Sequence, residues 1–579
     1  MSRWCACLTA DDPAGQVTAM GGRPLRTARG CHALGLLDGP GAAAGPYRVG
    51  DVQAIGEVTL HNAPELRSRL GADTVPGDCS DGELLLRAYV RFGAAGLAAA
   101  DGMFALAIAE GDELVLVRDH MGARTLFHAR AGTGDRVAWA ASTSLRALQR
   151  WPALDTGLHL PAVRSFLTFA YLPGRETLLR GIHEVLPGRC VRLKPDGSVV
   201  EETYWEPAEV ADERSAADHA RELRELLESA TARRLPAAEP VGVLLSGGVD
   251  SSLVTALAAK LHDQAVRSYS ISFGGDAPNE LAYSGLVAAH CHTEHQVLTV
   301  PGEAVAARLP ETVALLDSPV GDPLTVPNLM LAEAVAADGM SVVLNGEGGD
   351  PVFGGPKNLP MLIHELHRDE GGVDSRARAY VDSYRKCHGD LPVLLTPDVL
   401  AELADAPPVT DLLVPYLRQG QMTSLLNQLL HTNLRTKGAH HILTKVERIT
   451  ASQGLEGRAP LFDRAVVDHA FRVPPRLKLA GTSEKWILKE AVRDLLPPTI
   501  VDRPKSGMRV PVQQWLDGPL RELGHDLLLG RSARARGLFR EDTIRSWLRQ
   551  EGTLLPRQGG KLWLVLTLEL WLRSFEVKA

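Results

Sequence analysis

The chain has 579 residues, 62 Lys plus Arg against 70 Asp plus Glu, and a formal net charge of −8 at pH 7. With 45% hydrophobic and 23% charged residues its composition is that of a globular protein, which excludes disordered and fibrous classes. The mild acidity and the lack of a bilayer-length apolar run argue against nucleic-acid and membrane partners, and the length allows roughly two to four domains.

Met1 to Cys5 shows no basic stretch followed by an apolar one, so no secretory leader is expected. Seven scattered cysteines form no disulfide framework and suit a reducing cytoplasm. The first part reads as β-rich. Residues 112–119 and 136–142 are runs of branched and aromatic residues, each predicting a strand. Cys190 to Leu193, a turn at Pro195-Asp196-Gly197 and Val199 to Trp205 predict a hairpin. Residues 82–92 carry leucines and Val90 at helical spacing. From 212 the texture changes, and 213–234 is charged with Leu223, Leu226 and Leu227 on one helical face. The boundary falls between Trp205 and that helix, giving domains 1–207 and 212–579.

Val241 to Leu245 is wholly apolar, as in a strand buried on both faces of a parallel sheet flanked by helices. Strand-like and helix-like segments alternate to about residue 355, and helical patterns dominate beyond it. Directly after the apolar strand stands Ser246-Gly247-Gly248-Val249-Asp250-Ser251-Ser252, with a helix expected from Leu253. Strand, glycine loop and helix together aim backbone N–H groups and a helix N-terminus at an anion. Two glycines allow close approach to a phosphate, and three hydroxyls can donate to it. The string is neither a Walker A loop nor a Rossmann fingerprint. An aspartate among phosphate ligands needs a cation between, so Asp250 implies Mg²⁺.

This string resembles the pyrophosphate-binding loop of the ATP pyrophosphatases, which split ATP into AMP and pyrophosphate. A second block, Asn345-Gly346-Glu347-Gly348-Gly349-Asp350-Pro351-Val352-Phe353-Gly354-Gly355, resembles one found in the asparagine synthetase group. The resemblance runs through Asp317, Pro319, Asp322, Pro323, Lys445-Val446-Glu447-Arg448, Leu455 to Pro460, Lys485-Trp486, Arg503-Pro504-Lys505-Ser506-Gly507 and Trp563 to Trp571. It implies an α/β protein: an N-terminal glutaminase-like sandwich of the N-terminal-nucleophile hydrolase type, then a doubly wound parallel sheet of the ATP-pyrophosphatase type with a helical C-terminal part. Asp350 is expected to share Mg²⁺ with Asp250. Glu347 has the chemistry of a general base for an attacking amine, and the resemblance places a catalytic glutamate there. The β-lactam synthetases of the family usually carry tyrosine at that position. Lys505 matches an essential lysine of a flexible loop, suited to offset charge on the reacting phosphate. Asn345 and Gly346 join the nucleotide-binding set, with Leu244 and Ile271 along the adenine. Lys485 and Arg458 read as weaker candidates or structural ion-pair partners. Pro351 replaces the family's usual acidic residue.

Glu57, Asn62, Asp81, Asp101 to Ala105, Arg118-Asp119, Gly122 and Leu126-Phe127 resemble the family's glutaminase domain. Glutamine-hydrolysing members carry Cys after the initiator Met; here Ser2 stands in that position. The Arg-Gly-Pro-Asp string that holds the glutamine carboxylate is absent, and Ile55 replaces an oxyanion-hole asparagine. The domain therefore reads as a scaffold without glutaminase activity. His290-Cys291-His292 with His295 fits no common zinc spacing. His440-His441 reads as surface histidines or as neighbours of the substrate, and Tyr380, Tyr384 and Lys386 as one helix face.

The expected enzyme is an ATP-dependent ligase that adenylates a carboxylate and couples it to an amine from a source other than glutamine. Its acid is a small molecule or a peptide, and lasso-type macrolactam formation is the leading subtype. The alternative is an asparagine synthetase, or another amidating ligase, fed by free ammonia. The resemblance leaves a homodimer open.

Overall fold

The computed structural model describes residues 3–25, 31–37, 45–71, 75–133, 137–274, 280–355, 372–384, 386–418, 420–504, 507–549 and 558–577. The chain forms two units, residues 1–159 with 174–206, and residues 160–173 with 207–579.

In the first unit, period-two alternation builds two antiparallel sheets. The strands are β1 (Arg3–Leu8), β2 (Gly22–Leu25), β3 (His32–Leu37), β4 (Tyr47–Val49), β5 (Val52–Leu60), β6 (Gly102–Glu110), β7 (Glu113–Arg118), β8 (Phe127–Ala131), β9 (Ala138–Ser142), β10 (Ile182–Glu184), β11 (Arg189–Leu193) and β12 (Val199–Thr203). Their orders are β10-β8-β9-β1-β3-β2 and β12-β11-β7-β6-β5-β4. Trp4, Ala6 and Leu8 on one face of β1 share a core with Ala105 and Ala107 on β6 and Leu114 and Leu116 on β7. The helix Pro13–Ala19 packs on β1 and β3, and Asp81–Phe92, capped by the Ser80 side chain, packs on β4 and β5. The result is an αββα sandwich.

The second unit is built on five parallel strands: β13 (Val241–Leu244), β14 (Val266–Ser272), β15 (Glu294–Thr299), β16 (Val342–Leu344) and β17 (Glu456–Arg458). Their order is β15-β14-β13-β16-β17. Val241 and Val243 join Val254 and Ala258 of the helix Val249–Leu261 in one core. A Cβ on the intervening Gly242 would lie 3.0 Å from Val335 of the helix Thr325–Ala337. Successive residues of β13 thus meet different helices, as a doubly wound sheet requires. No helix among the described residues is long and apolar enough to cross a membrane.

Two departures from the sequence expectations have local causes. The helix after β13 starts at Val249, four residues before Leu253, so Asp250 lies in its first turn, where the helix dipole favours an anion. The stretch 1–207 is interrupted at 160–173. Phe169 and Tyr171 bury themselves with Tyr380, Val381, Leu413 and Leu429 of the second unit.

Asp463, fully buried, ties the helix Arg464–Arg472 to the end of the helix Ala216–Ala232. It accepts from Arg233 at 2.8 Å and Arg234 at 2.7 Å, and from the Ala465 N–H at 2.9 Å as cap of the helix Arg464–Arg472. Asp463→Ala leaves buried Arg234 and half-buried Arg233 without this carboxylate. We expect a loss of roughly 3–5 kcal/mol, seen as a lowered denaturation midpoint of this unit.

Candidate active site

β13 and β16 are neighbours at the point where the strand order reverses. In such sheets the crevice outside the carboxyl ends of those strands takes the ligand. Both motif blocks leave from it: Ser246 to Ser252 after β13, and Asn345 to Gly355 after β16.

The first loop is held by its own hydroxyls. Ser251 Oγ accepts from the Ser246 N–H at 3.1 Å, donates to the Gly248 carbonyl at 3.2 Å and lies 3.0 Å from Ser246 Oγ. Gly247 turns the chain at φ 81°, where a Cβ would lie 2.8 Å from the Ser284 N and Tyr283 Cβ atoms. In the second block, Asn345 Oδ1 accepts from the Glu347 N–H at 3.0 Å. A Cβ on Gly346 would lie 2.4 Å from the Ser251 nitrogen, and one on Gly349 2.1 Å from Asp250 Oδ1. The glycines of the second block are therefore what lets it close on the first. Pro351 sits in the first turn of the helix Gly349–Phe353, where its missing N–H costs no helical bond.

Lys485 stands where the two blocks meet. Its buried ammonium lies 2.5 Å from Asp250 Oδ2 and 2.5 Å from Asp350 Oδ1. Its backbone is left-handed at φ 55°, a conformation disfavoured for lysine and held here by its surroundings. Two carboxylates converging on one nitrogen are a hard-oxygen pair that suits Mg²⁺ once phosphate oxygens complete the shell. No group of three or more His, Cys, Asp or Glu able to hold a metal occurs among the described residues. The donor set therefore fits a cation that arrives with the nucleotide.

These residues border one cavity of about 450 Å³, whose wall includes Leu244, Ser246, Gly248, Asp250, Ser251, Ile271, Asn345, Gly346, Glu347, Asp350 and Lys485. Of the expected nucleotide-binding set, Gly247 and Ser252 do not reach the wall. Gly247 supplies the turn, and Ser252 is fully buried beneath it. Lys505 and Ser506 lie outside the described residues. Before them, Arg503 donates to the Gly247 carbonyl at 3.3 Å, pairs with Glu280 and stacks 3.8 Å over the Tyr283 ring. Arg503 and Gly507 both line the cavity.

Beside Glu347, Lys445 pairs with Asp322 at 2.6 Å, and His441 Nε2 lies 3.9 Å from the same carboxylate. Burial opposes the charge on Lys445, but Asp322 and Glu347 hold its pKa above the ordinary lysine value. Burial likewise raises Asp322, yet Lys445 and His441 outweigh it and keep the carboxyl below the usual range. Burial pushes His441 down to about 3 against the pull of Asp322, so the ring is neutral at pH 7. His440 and His441 are thus not surface histidines. They belong to a ten-residue π-helix, Leu434–Leu443, which sequence periodicity does not announce. Tyr384 is within 3.3 Å of Tyr380 Oη and 3.1 Å of Tyr171 Oη, hydroxyl to hydroxyl, so it joins a buried network rather than a helix face alone.

The asparagine synthase family profile matches residues 222–573, and a glutamine amidotransferase domain profile matches 26–205. The chain belongs to the asparagine synthase family. It is an ATP-dependent carbon–nitrogen ligase. The chain is 25% identical to asparagine synthetase [glutamine-hydrolyzing] 1 of Bacillus subtilis over 544 residues, 88% of this chain and 84% of the other. It is 29% identical to a putative asparagine synthetase of Mycobacterium bovis, covering 78% and 73%. It is 28% identical to the carboxyethyl-arginine beta-lactam-synthase of Streptomyces clavuligerus, covering 78% and 72%.

In the first unit, residues that resemble a glutaminase pocket are bonded to neighbours within the unit. Tyr47 donates to the Gly56 carbonyl at 3.1 Å, and its ring lies where a Gly82 Cβ would come within 2.0 Å of Cζ. Asp81 accepts from the Leu60 N–H at 2.8 Å, Glu57 pairs with Arg124 at 3.2 Å, and Ile55 is fully buried. Ser2 lies outside the described residues. Burial pushes the Cys5 and Cys7 thiols up to about 12, so neither is a thiolate at neutral pH.

Gly349→Ala sets a methyl group against Asp250 Oδ1 and forces the two carboxylates off Lys485. A misplacement of this size costs about a hundredfold in turnover, and we expect at least that loss with the fold retained, read as ATP-dependent pyrophosphate release beside circular dichroism.

Proposed function

We propose that the second unit adenylates a carboxylate and passes the acyl group to an amine that does not come from glutamine. The observation that carries this is Asp250 and Asp350 sharing Lys485 on the wall of the cavity that Glu347 also lines. A carboxylate oxygen attacks the α-phosphorus of ATP, the bond to the β-phosphate oxygen breaks, and pyrophosphate leaves. Leu244 and Ile271 flank the adenine, while the Ser246–Ser251 loop and Lys485 receive the pyrophosphate end. Asp250 and Asp350 would hold Mg²⁺, which offsets phosphate charge when bound. Lys505 is assigned to charge on the reacting phosphate. The amine nitrogen then attacks the acyl carbon, Glu347 takes its proton, and AMP departs.

The engaged pocket around Tyr47, the buried Ile55 and the un-ionised Cys5 and Cys7 support an amine from another source. The likeness to a beta-lactam synthase, an enzyme named for a ring product, supports a specialised ligase, with closure of a peptide amine onto an Asp or Glu side chain as its leading form. Glu347 and the asparagine synthetase relatives favour a second form, in which free ammonia amidates a small acid. Seven free thiols suit a cytoplasmic setting.

Trial acids, L-aspartate and peptides carrying Asp or Glu, should give AMP and pyrophosphate in equal amounts. ADP and phosphate as products would sink the mechanism. Glu347→Gln should lower amide formation by about a hundred- to ten-thousandfold while hydroxylamine, already neutral at pH 7, still traps the adenylate as a hydroxamate. No hydroxamate despite bound ATP would move Glu347 from base to nucleotide ligand.

Amide-¹⁵N-glutamine should leave the product unlabelled and release no glutamate. Glutamate formed in step with product would overturn the reading of the first unit.

A further inference from the structure

Lys478 is a buried titratable group outside the cavity that the ligase chemistry does not use. It ends the short helix Pro475–Lys478, is 1% exposed and does not line the cavity. Its side-chain nitrogen donates to Asn427 Oδ1 at 2.7 Å and lies 4.7 Å from the centre of the Phe471 ring. Both partners are fully buried, Asn427 on the helix Leu425–Asn433 and Phe471 on the helix Arg464–Arg472. An amide oxygen and a ring face are neutral, and no carboxylate comes within ion-pair distance of Lys478 among the described residues.

The charged groups of the neighbouring elements have other partners. Glu209 accepts from the Thr423 and Ser424 N–H groups at 2.6 and 3.0 Å. Arg476, on the same helix as Lys478, pairs with Glu213 at 3.7 Å. On the helix Arg464–Arg472, His469 lies 3.3 Å from Glu222, and on Leu425–Asn433, His431 meets the Phe471 ring edge-on. The helix Trp486–Ala491, which packs on Pro475–Lys478, carries Lys489, paired with Glu484 at 3.7 Å, and Glu490, paired with Arg493 at 2.6 Å. Of these groups only Glu209 acts on Lys478, and its pull does not match the cost of burial, which pushes the amine down to about 7.

We propose that Lys478 is a proton switch in the helical part of the second unit: the neutral amine lets its three helices pack, and proton uptake loosens their junction. The unfolded chain holds this proton to roughly pH 10. From about pH 7 upward folding therefore releases it, and each further pH unit favours the folded state about tenfold until the unfolded amine also titrates. Below about pH 7 both states hold the proton, and the cost of burying it stays in full. The helix that carries Asn427 runs directly into Leu434–Leu443 and on into Thr444–Ser452, which carries Lys445 of the cavity wall. The switch thus sits at the head of a segment that ends on the site.

The test is amide hydrogen exchange on the full chain, read by mass spectrometry in peptides from 425–433 and 464–478. The rates are expressed as protection factors, which remove the intrinsic effect of pH on exchange. Lys478→Met replaces the amine with an apolar side chain of similar length. Asn427→Asp keeps the amine but gives it a counter-ion that holds its proton. Dividing wild-type protection by that of a variant at the same pH cancels the titration of the groups they share. The ratio to each variant should rise at least about tenfold between about pH 6.5 and about pH 8.5. The two variants remove the switch in opposite ways, one without the amine and one with it always charged, so either suffices if the other does not fold. A ratio that stays level or falls across this range would overturn the assignment.

Discussion

One buried ammonium organises the synthetase unit. Lys485 lies between Asp250, from the loop after β13, and Asp350, from the loop after β16. Without a cation, two carboxylates at this separation repel each other, and one would take up a proton. With it, the loops are drawn to one point. The backbone of this lysine is left-handed at φ 55°. A buried ion pair is weak evidence for stability, but here it fixes a geometry, which an apolar substitute of the same volume could not do.

The rest of the site follows from how closely the two loops must approach. β13 and β16 are hydrogen-bonded neighbours, so their C-terminal loops start about one inter-strand spacing apart. Gly346 and Gly349 remove the Cβ atoms that would strike the Ser251 nitrogen and Asp250 Oδ1. The same closeness explains why Ser251, rather than Ser252, lines the cavity. Ser251 is tied into the loop by three short contacts, and Ser252, the next residue on the helix, turns into the core.

Much of this is legible in the sequence, because glycines and acids at a strand end carry their reason locally. The apolar run at Val241, the glycine loop and the second block each stand at the expected place in a doubly wound sheet. The helix starts four residues earlier than its pattern predicts, since the anion-binding turn is itself helical. Lys485 reads as a weaker candidate or an ion-pair partner, and it is the partner of Asp250 and Asp350 at a left-handed φ that leaves no mark in composition. The π-helix is invisible in the sequence because a wide turn repeats at neither of the two periods that sequence patterns report, so His440 and His441 read as surface histidines or as neighbours of the substrate. The burial of 160–173 with the second unit depends on partners more than 200 residues away, and no local pattern encodes it.

The first unit matches a glutamine amidotransferase domain profile over residues 26–205. Its core rests on alternation along β1, β6 and β7, and none of those core residues is a pocket residue except Ile55. Ile55 is fully buried in that core. Tyr47 lies over Gly82 and donates to the Gly56 carbonyl, so a side chain of this chain fills space beside the matching loop. Asp81 accepts the Leu60 N–H at the end of β5. Losing that acceptor would leave a partly buried N–H unpaired. That bond gives Asp81 a structural role that asks nothing of a bound glutamine.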